Sequence, residues 1–325
     1  MNNFKKIGMT ALAASLVSTS AFAGELTASG SASITAENYS GEQINTGVGY
    51  SMADSVVLSG STELDNGMTV SMSFELDDAD TTHSYDSHSV TIASDSLGTL
   101  TFSGNGGDSA VSAIDATAAG DIFDNFDGQT GDVETSSSVG DAAMLTSPGG
   151  DDSFYYTLPE MVEGLSVSAS YNPQAVTGFS SSAFGATYTG IEGLSVSYGV
   201  GDNNRDSGST YDADVTTMKA SYAYGPVTVA YSDHEYDSAT ATRDQDTTSF
   251  SVAYTVTDAI SVSYGEETID SGEQTVDAEY TSLSVSYTSG GMTITAKQQE
   301  AENISYTTTS TEDQDYWGLT LAFAF

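Results

Sequence analysis

The chain repeats one short pattern, in which apolar residues alternate with serine and the run closes on tyrosine. GLSVSASY begins at Gly164, GLSVSYG at Gly193, ISVSYG at Ile260 and LSVSYTS at Leu283. Successive side chains of a β-strand point to opposite faces, so each copy has one apolar face and one hydroxyl-bearing face. In a soluble sandwich the outer face would carry Lys and Glu, whereas a face of Ser and Thr suits a water-filled interior. The pattern therefore predicts an all-β transmembrane barrel whose apolar face is turned toward lipid.

The two ends of the chain support this prediction. Lys5 and Lys6, the apolar stretch at 7–17 and the A-x-A sequence at 21–23 predict a signal peptide at 1–23, followed by a barrel domain at 24–325. No later stretch is apolar for the length that a membrane helix needs. The last ten residues, YWGLTLAFAF, alternate large and small residues and end on Phe325. Such a strand would promote aggregation in a soluble protein, so we interpret it as the final strand of the barrel.

Turn signals divide the segment 24–325 into sixteen candidate strands. The first extends from Leu26 to Asn38, and Asp65, Asn66 and Gly67 form the strongest hairpin signal, because Asn-Gly between alternating runs favours a tight turn. The other short turns are predicted at 95–98, 159–164, 191–193, 225–226, 257–258 and 289–291. These seven turns alternate with longer, more acidic connections, which is the asymmetry of an outer-membrane barrel.

Tyrosine placement predicts two aromatic belts on the outward face. One set precedes the short turns, and the other lies toward the opposite ends of the strands. Amphipathic rings of this kind are favoured at the two interfaces of a membrane. The two sets are Tyr156, Tyr188, Tyr224, Tyr254 and Tyr287, and Tyr171, Tyr198, Tyr231 and Tyr264.

The composition excludes several classes of protein. The chain has 46 Asp and Glu against 6 Lys and Arg, a net charge of −40, so nucleic acid and anionic lipid surfaces are excluded as electrostatic partners. It contains no Cys, so a disulfide framework and thiol chemistry are excluded as well. Two interpretations of the acidity stay open, namely solvation in a salty habitat and attraction of cations.

One connection is far longer than ordinary loops and leads to a family resemblance. Roughly 45 residues separate the strand ending near Ser103 from the strand starting near Ser153. The segment DSVVLSGSTELDNGMTVSMSFELDD at 54–78 resembles the second and third strands of Gram-negative general porins, and LGTLTFSGNGG at 97–107 resembles their fifth strand. With Phe325, the resemblance covers the whole exported chain. Within the family, the chain is similar to alphaproteobacterial, Rhodobacter-like porins. It implies a sixteen-stranded homotrimer, a third loop folded into the pore, and recognition of Phe325 by the barrel-assembly machinery.

The candidate site is the constriction that such a loop would form. A narrow, poorly hydrated passage gives fixed charges their greatest effect on permeating ions. The constriction residues predicted on the loop are Asp108, Asp115, Asp121, Asp124, Asp127, Asp132 and Glu134, followed by Asp141. Strand parity predicts further charges on the lumen wall, and these are Glu63, Glu75, Lys219 and Lys297, with Asp77 beside them.

The two lumen lysines carry a separate hypothesis. General porins set an arginine cluster on the wall against acids on this loop, but Arg205 and Arg243 both fall in predicted external loops. Lys219 and Lys297 would then supply a residual positive wall opposite the acidic loop and create a transverse field. The alternative, held equally, is that they only neutralise crowded carboxylates.

The sequence therefore predicts an outer-membrane porin for passive diffusion of small hydrophilic solutes, with a preference for cations. Its partners would be outer-membrane lipid, lipopolysaccharide and two further copies of the chain. No cofactor is expected; acidic pairs such as Asp77-Asp78 and Asp151-Asp152 could hold Ca²⁺, but no EF-hand spacing is present. The alternative is an acidic adhesive barrel, without substantial conductance, whose loops gather divalent ions and neighbouring lipopolysaccharide.

An enzyme in a barrel is the remaining class. Outer-membrane hydrolases use histidine, and the chain has only His83, His88 and His234. The first two are predicted in the second loop and the third near the top of strand eleven, as exposed loop residues. No nucleophile motif surrounds them, so no enzymatic activity is expected.

Overall fold

A computed structural model describes the chain over residues 26–41, 47–77, 86–126, 144–145, 151–176, 179–203, 212–239, 244–272, 276–306 and 313–325. The predicted signal peptide, Arg205, Arg243 and His83 lie outside these residues. Within the described residues, the short helical elements are α1 (Ser112–Asp115) and two 3₁₀ turns, Ile122–Asn125 and Ile304–Tyr306. Among the described residues, no helix is long and apolar enough to cross a membrane.

Sixteen antiparallel strands close into one barrel, which confirms the predicted fold class and count. Each strand pairs with its neighbours in sequence, and β1 pairs with β16 to complete the ring. The strands are β1 (Thr27–Gly41), β2 (Gly49–Glu63), β3 (Thr69–Asp77), β4 (Ser87–Ser94), β5 (Gly98–Asn105), β6 (Ser153–Thr157), β7 (Leu165–Val176), β8 (Phe179–Tyr188), β9 (Leu194–Asn203), β10 (Ala213–Tyr224), β11 (Val227–Ser238), β12 (Gln245–Thr257), β13 (Ile260–Ser271), β14 (Ala278–Ser289), β15 (Met292–Glu302) and β16 (Gln314–Ala324).

The seven short turns lie where the sequence predicts them. In the first, the Asn66 side chain accepts a hydrogen bond from the Met68 backbone N–H at 3.1 Å, and Gly67 takes a left-handed φ of 79°. β1 ends at Gly41 rather than at Asn38, because residues 38–41 continue the pairing with β16. We call the rim with these turns the turn end, and the opposite rim the loop end.

The outward face is apolar and carries both tyrosine belts. On β12, for example, Phe250 and Tyr254 are 42% and 48% exposed in the isolated chain, although both are large apolar side chains. The belt residues exposed on this face are Tyr188, Tyr224, Tyr254 and Tyr287 near the turn end and Tyr171, Tyr198, Tyr231 and Tyr264 toward the loop end. Tyr156 is half-buried, and its hydroxyl donates to the Leu97 carbonyl at 2.5 Å.

The inward face is lined by hydroxyl groups that pair across neighbouring strands. Thr35 and Thr320 approach at 2.9 Å, and so do Thr91 and Thr101, each pair through its side-chain oxygens. These hydroxyls alternate with outward residues such as Ile34 in β1. The serine and threonine face therefore lines the interior, as predicted from the repeat.

We predict that lysine is tolerated on one face of β12 and not on the other. Val252 faces outward between Val229 and Tyr264, whereas the next residue, Ala253, faces inward. Val252→Lys should lower the free energy of unfolding by about 2–4 kcal/mol, because the ammonium would face hydrocarbon. Ala253→Lys is the matched control and should have little effect. Denaturant unfolding in lipid vesicles measures both, and equal losses would contradict the assigned faces.

Candidate functional site: the third loop and the inner wall

The connection between β5 and β6 runs inside the barrel along the wall formed by β7 to β15. Its backbone N–H groups donate to serine side chains of the inward face: Ala110 to Ser170 at 2.9 Å on β7, and Ala118 to Ser232 at 2.8 Å on β11. Further along, Ala119 donates to the Ser249 hydroxyl of β12 at 3.0 Å. Because these serines point into the lumen, the inward fold of the third loop is confirmed for its described residues.

Inward glycines allow the loop to approach the wall. A Cβ atom at Gly199 would lie 2.7 Å from Ile114 Cδ1, and one at Gly265 would lie 2.6 Å from Ala119 Cβ. Both distances are too short for van der Waals contact, so a side chain at either position would displace the loop residue that packs there. Gly199 and Gly265 are the closing residues of two SVSYG repeats. The repeat therefore combines an outward tyrosine with a place for the loop to pack.

Two apolar clusters attach the loop to the wall near the loop end. Both are formed by side chains of the loop and inward side chains of the strands and their connections. The first joins Ala110 and Val111 to Ala183, Ala213, Val215 and Tyr236. The second joins Ile122, Phe123, Phe126 and Met144 to Ile269, Ala278, Tyr280, Ala301, Ile304, Tyr306 and Tyr316.

A buried carboxylate, Glu267 of β13, holds the centre of the loop. It is 1% exposed, and its two oxygens accept from the Thr117 hydroxyl and, at 3.2 Å, from the Phe123 N–H. Thr117 also closes a turn, because its N–H donates to the Asp121 carboxylate at 2.8 Å. A buried carboxyl group is tolerated only with such hydrogen-bond partners, so this contact is specific. Our sequence analysis missed Glu267, although its inward parity in β13 could have revealed it.

The returning limb of the loop is held by His234 and Gln245. His234 is 2% exposed; its Nδ1 hydrogen-bonds the Thr217 hydroxyl at 2.6 Å and its Nε2 the Leu145 carbonyl at 2.9 Å. Gln245 accepts from the Leu145 N–H at 2.6 Å and donates to the Tyr306 hydroxyl at 3.3 Å. Burial raises the pKa of Tyr306 to about 12, so this hydroxyl stays protonated at neutral pH.

Lys219 lies against the loop rather than across the pore from it. Its Nζ donates to the Ala116 carbonyl at 2.7 Å and to the Thr117 carbonyl at 3.2 Å. Lys297 is exposed on β15, the strand on which Gln299 accepts a hydrogen bond from the loop residue Asn125 at 2.8 Å. Both lysines thus lie on the wall along which the loop runs. They do not form a positive wall opposite the loop.

Comparison with known proteins adds the family to this geometry. A family model described as Gram-negative porin matches residues 8–288, which is most of the chain. The chain belongs to the Gram-negative porin family. This membership and the barrel fold identify the protein as an outer-membrane porin channel, and they confirm the resemblance inferred from the sequence. No curated protein sequence matches the chain significantly.

Solved porin structures share the fold of this porin at low sequence identity. A porin refined at 1.8 Å resolution has a TM-score of 0.67 at 18% identity, covering 93% of this chain and 100% of its own. An anion-selective porin from Comamonas acidovorans has a TM-score of 0.67 at 12% identity, with the same coverage. A mutant of the Rh. blastica porin has a TM-score of 0.64 at 15% identity, again covering 93% and 100%.

The predicted acids of the porin loop occupy different environments. Asp108 and Asp124 are exposed, Asp115 is 8% exposed, and Asp121 accepts the turn hydrogen bond described above. The other predicted loop acids, Asp127, Asp132, Glu134 and Asp141, lie outside the described residues. Of the predicted constriction residues, only Asp108 and Asp124 are therefore described as presenting an exposed side chain.

The predicted wall acids lie on the other side of the ring. Glu63 is exposed at the end of β2, and Glu75 of β3 accepts from the Ser55 hydroxyl at 2.6 Å and the Ser87 hydroxyl at 3.0 Å. In a closed ring of sixteen strands, β2 and β3 are eight strands away from β10 and β11. The wall across from Lys219 therefore carries carboxylates.

The histidine assignments of the sequence analysis were wrong in two places. His234 is buried on the inward face because the returning limb of the loop covers it, so it is not an exposed loop residue. His88 belongs to β4 and not to the second loop, since it pairs with Phe74 of β3.

The acidic pairs considered for Ca²⁺ have no described metal geometry. Asp151 accepts from the Gly106 N–H at 3.1 Å and thereby closes the base of the third loop, while Asp78 lies outside the described residues. In the described parts of the chain, no three His, Cys, Asp or Glu side chains converge on a position for a metal ion.

We predict that Glu267→Ala loosens the third loop. The change leaves the Thr117 hydroxyl and the Phe123 N–H without their acceptor, and each buried donor left unsatisfied costs about 1–3 kcal/mol. Amide exchange over residues 117–123 should therefore accelerate at least about tenfold, measured by hydrogen–deuterium exchange mass spectrometry of the folded porin.

Glu266→Ala is the matched control for this experiment. Glu266 is the neighbouring residue on the outward face, where it accepts a hydrogen bond from the Tyr264 hydroxyl at 2.6 Å. Glu266→Ala removes the same carboxyl group, but Glu266 does not touch the loop. Amide exchange at 117–123 should therefore stay unchanged. Identical exchange in Glu267→Ala and Glu266→Ala would contradict the assigned role of Glu267.

Proposed function

We propose that this porin is a passive diffusion channel for small hydrophilic solutes and that it favours cations. The observation that carries the proposal is the position of the carboxylates around the narrowed lumen. Asp108 and Asp124 are exposed on the loop, while Glu63 and Glu75 take inward positions on β2 and β3. A cation that passes these carboxylates is attracted by negative charge on the loop and on the wall, and an anion is repelled by both.

The scarcity of positive charge supports the same direction of selectivity. The chain carries 6 Lys and Arg in total, against 46 Asp and Glu. Of the two predicted lumen lysines, Lys219 has its ammonium bonded to loop carbonyls, so it is held against the loop. We propose that Lys297, which is exposed, offsets part of the carboxylate charge without reversing the preference. Passive diffusion requires no cofactor, and none is proposed.

The anion-selective Comamonas acidovorans porin shares the fold at 12% identity, and it does not set the selectivity of this chain. Ion preference depends on the side chains at the narrowing, and strand architecture is common to channels of both preferences. The proposal therefore relies on the described charges of this chain and not on the likeness of the backbone.

We also propose a homotrimer that associates through the outward face of β1 to β5. Small residues dominate this face on β1, where Ala28, Gly30, Ala32 and Ala36 alternate with inward residues. Asp54 of β2 is half-buried on the same face, next to Ala32. A carboxylate turned toward lipid is unfavourable, whereas one turned toward another subunit can be paired.

The remaining proposed partners act at the outer surface of the barrel. We propose that the barrel-assembly machinery recognises the terminal strand, whose last residue, Phe325, is 77% exposed and exchanges backbone hydrogen bonds with Gly30 at 2.8 and 3.0 Å. Outer-membrane lipid would cover the apolar face. Lipopolysaccharide would neighbour the acidic residues at the loop end, in the leaflet that faces outward.

We predict stepwise, cation-selective conductance in planar bilayers. The purified porin in a salt gradient should give a reversal potential of the sign expected for cations. Replacing the exposed loop acids in the variant Asp108→Asn/Asp124→Asn should lower the cation preference about twofold or more, because both charges lie on the loop that we propose narrows the pore. Conductance is measured on single channels, and the reversal potential is measured on bilayers that contain many channels.

The control variant Asp246→Asn/Asp270→Asn removes the same net charge from paired outward positions of β12 and β13. Its reversal potential should match that of the unchanged porin. An anion-selective reversal potential would contradict the proposed preference. A folded barrel that never conducts would contradict the channel itself and favour the adhesive alternative.

We predict that bulk on the β1 face prevents association of subunits. Ala32→Trp should dissociate the proposed trimer, because an indole cannot fit where a neighbouring barrel packs closely. Ala220→Trp makes the same change on the outward face of β10, where Tyr231 is its cross-strand neighbour, and should leave the trimer intact. Light scattering of the detergent-solubilised porin gives the mass, and identical masses for both variants would argue against this interface.

A further inference from the structure

We propose that a recess in the lumen, on the turn-end side of the third loop, binds small carboxylate-bearing solutes. The recess has a volume of about 310 Å³ and lies between α1 and strands β8, β9 and β10. Its polar lining is Lys219 with the hydroxyls of Thr187, Ser195, Ser197 and Ser221. It opens toward the proposed channel, so its role in transport rests on the proposed function, whereas its binding chemistry does not.

The ammonium of Lys219 supplies the positive charge of the recess. An ammonium group has three protons to donate, and two of them go to the Ala116 and Thr117 carbonyls at 2.7 and 3.2 Å. Both partners are neutral, so they orient the ammonium without neutralising its charge. One donor and the full positive charge therefore remain for a solute in the recess.

The hydroxyl groups supply the further donors that a carboxylate needs. Its two oxygens accept up to about four hydrogen bonds, more than one lysine can provide. Thr187 and Ser197 are hydrogen-bonded to each other at 2.9 Å, so one hydroxyl proton of that pair is free to turn toward a solute. Ser195 and Ser221 add two more hydroxyls from the neighbouring strands. Charge and donors thus come together on three adjacent strands.

The size and lining of the recess exclude other classes of solute. Ligand pockets usually span about 300–1,000 Å³, so this recess lies at the small end of the range and suits a small solute. Its other lining residues are Ala113, Ile114 and Ala116, and none of the lining residues that the structure describes is aromatic. A sugar ring therefore finds no stacking surface, and a cation is repelled by Lys219.

The recess matters because the rest of the described lumen disfavours carboxylates. An anionic solute passes Asp108 and Asp124 on the loop and Glu63 and Glu75 on β2 and β3. Within such a channel, one positively charged recess next to the narrowing gives carboxylate-bearing solutes a favourable position. The porin would then pass cations freely and retain small carboxylates transiently.

Saturation-transfer difference NMR on the detergent-solubilised porin tests the proposal with acetate as the probe. Acetamide, which has nearly the same shape without the charge, is the matched control solute. Ser221→Leu fills the recess and leaves Lys219 on the loop carbonyls. Lys219→Met removes the charge, and Lys297→Met removes the other predicted lumen charge from β15, outside the recess.

Acetate should bind the unchanged porin and Lys297→Met equally. It should bind Lys219→Met and Ser221→Leu about tenfold more weakly, because the first variant loses a charge-assisted hydrogen bond and the second fills the recess. Acetamide should bind weakly throughout. Equal acetate binding in Ser221→Leu and the unchanged porin would overturn the proposal, and so would equal losses in Lys219→Met and Lys297→Met. Bilayer conductance on the same samples separates the two hypotheses: conduction without acetate binding overturns only the recess, and acetate binding without conduction overturns only the channel.

Discussion

The structure depends on the need to pair every backbone N–H and C=O group that lies at membrane depth. Hydrocarbon offers no water to satisfy them, so an open sheet edge cannot persist there. Pairing of β1 with β16 removes the last two edges, over eleven residues from Ser31 to Gly41. Once the ring is closed, the alternation of apolar and polar side chains along each strand gives the barrel an apolar outer surface and a hydrated interior.

The inner surface is smooth enough to receive a polypeptide because its side chains are small. Where the third loop arrives, the wall offers glycine for space and serine for hydrogen bonds, as at Gly265 and Ser249 on adjacent strands. Large apolar inward residues such as Ile269 and Tyr280 lie nearer the loop end, where they pack against loop side chains. The size and polarity of the inward side chains therefore correspond to the path of the loop along the wall.

Strands, turns and the inward fold of the third loop were predictable because their signals are local or belong to the family. The site was less predictable, because its contacts join residues far apart in sequence: His234 meets Leu145, and Glu267 meets Thr117. Parity places His234 and Glu267 inward, but it does not tell which inward residues the loop will cover. Lys219 illustrates the same difficulty, since its inward direction was predictable and its position beneath the loop was not.

Several of the hydrogen bonds that attach the loop come from its own backbone. Ala110, Ala118, Ala119 and Phe123 contribute N–H groups, and Ala116 contributes a carbonyl, so these bonds do not depend on which side chains the loop carries. Substitutions at lumen-facing loop positions can therefore accumulate without dislodging the loop. A lineage of such channels could change which solutes it admits, one residue at a time, while the aperture keeps its position and the barrel its stability.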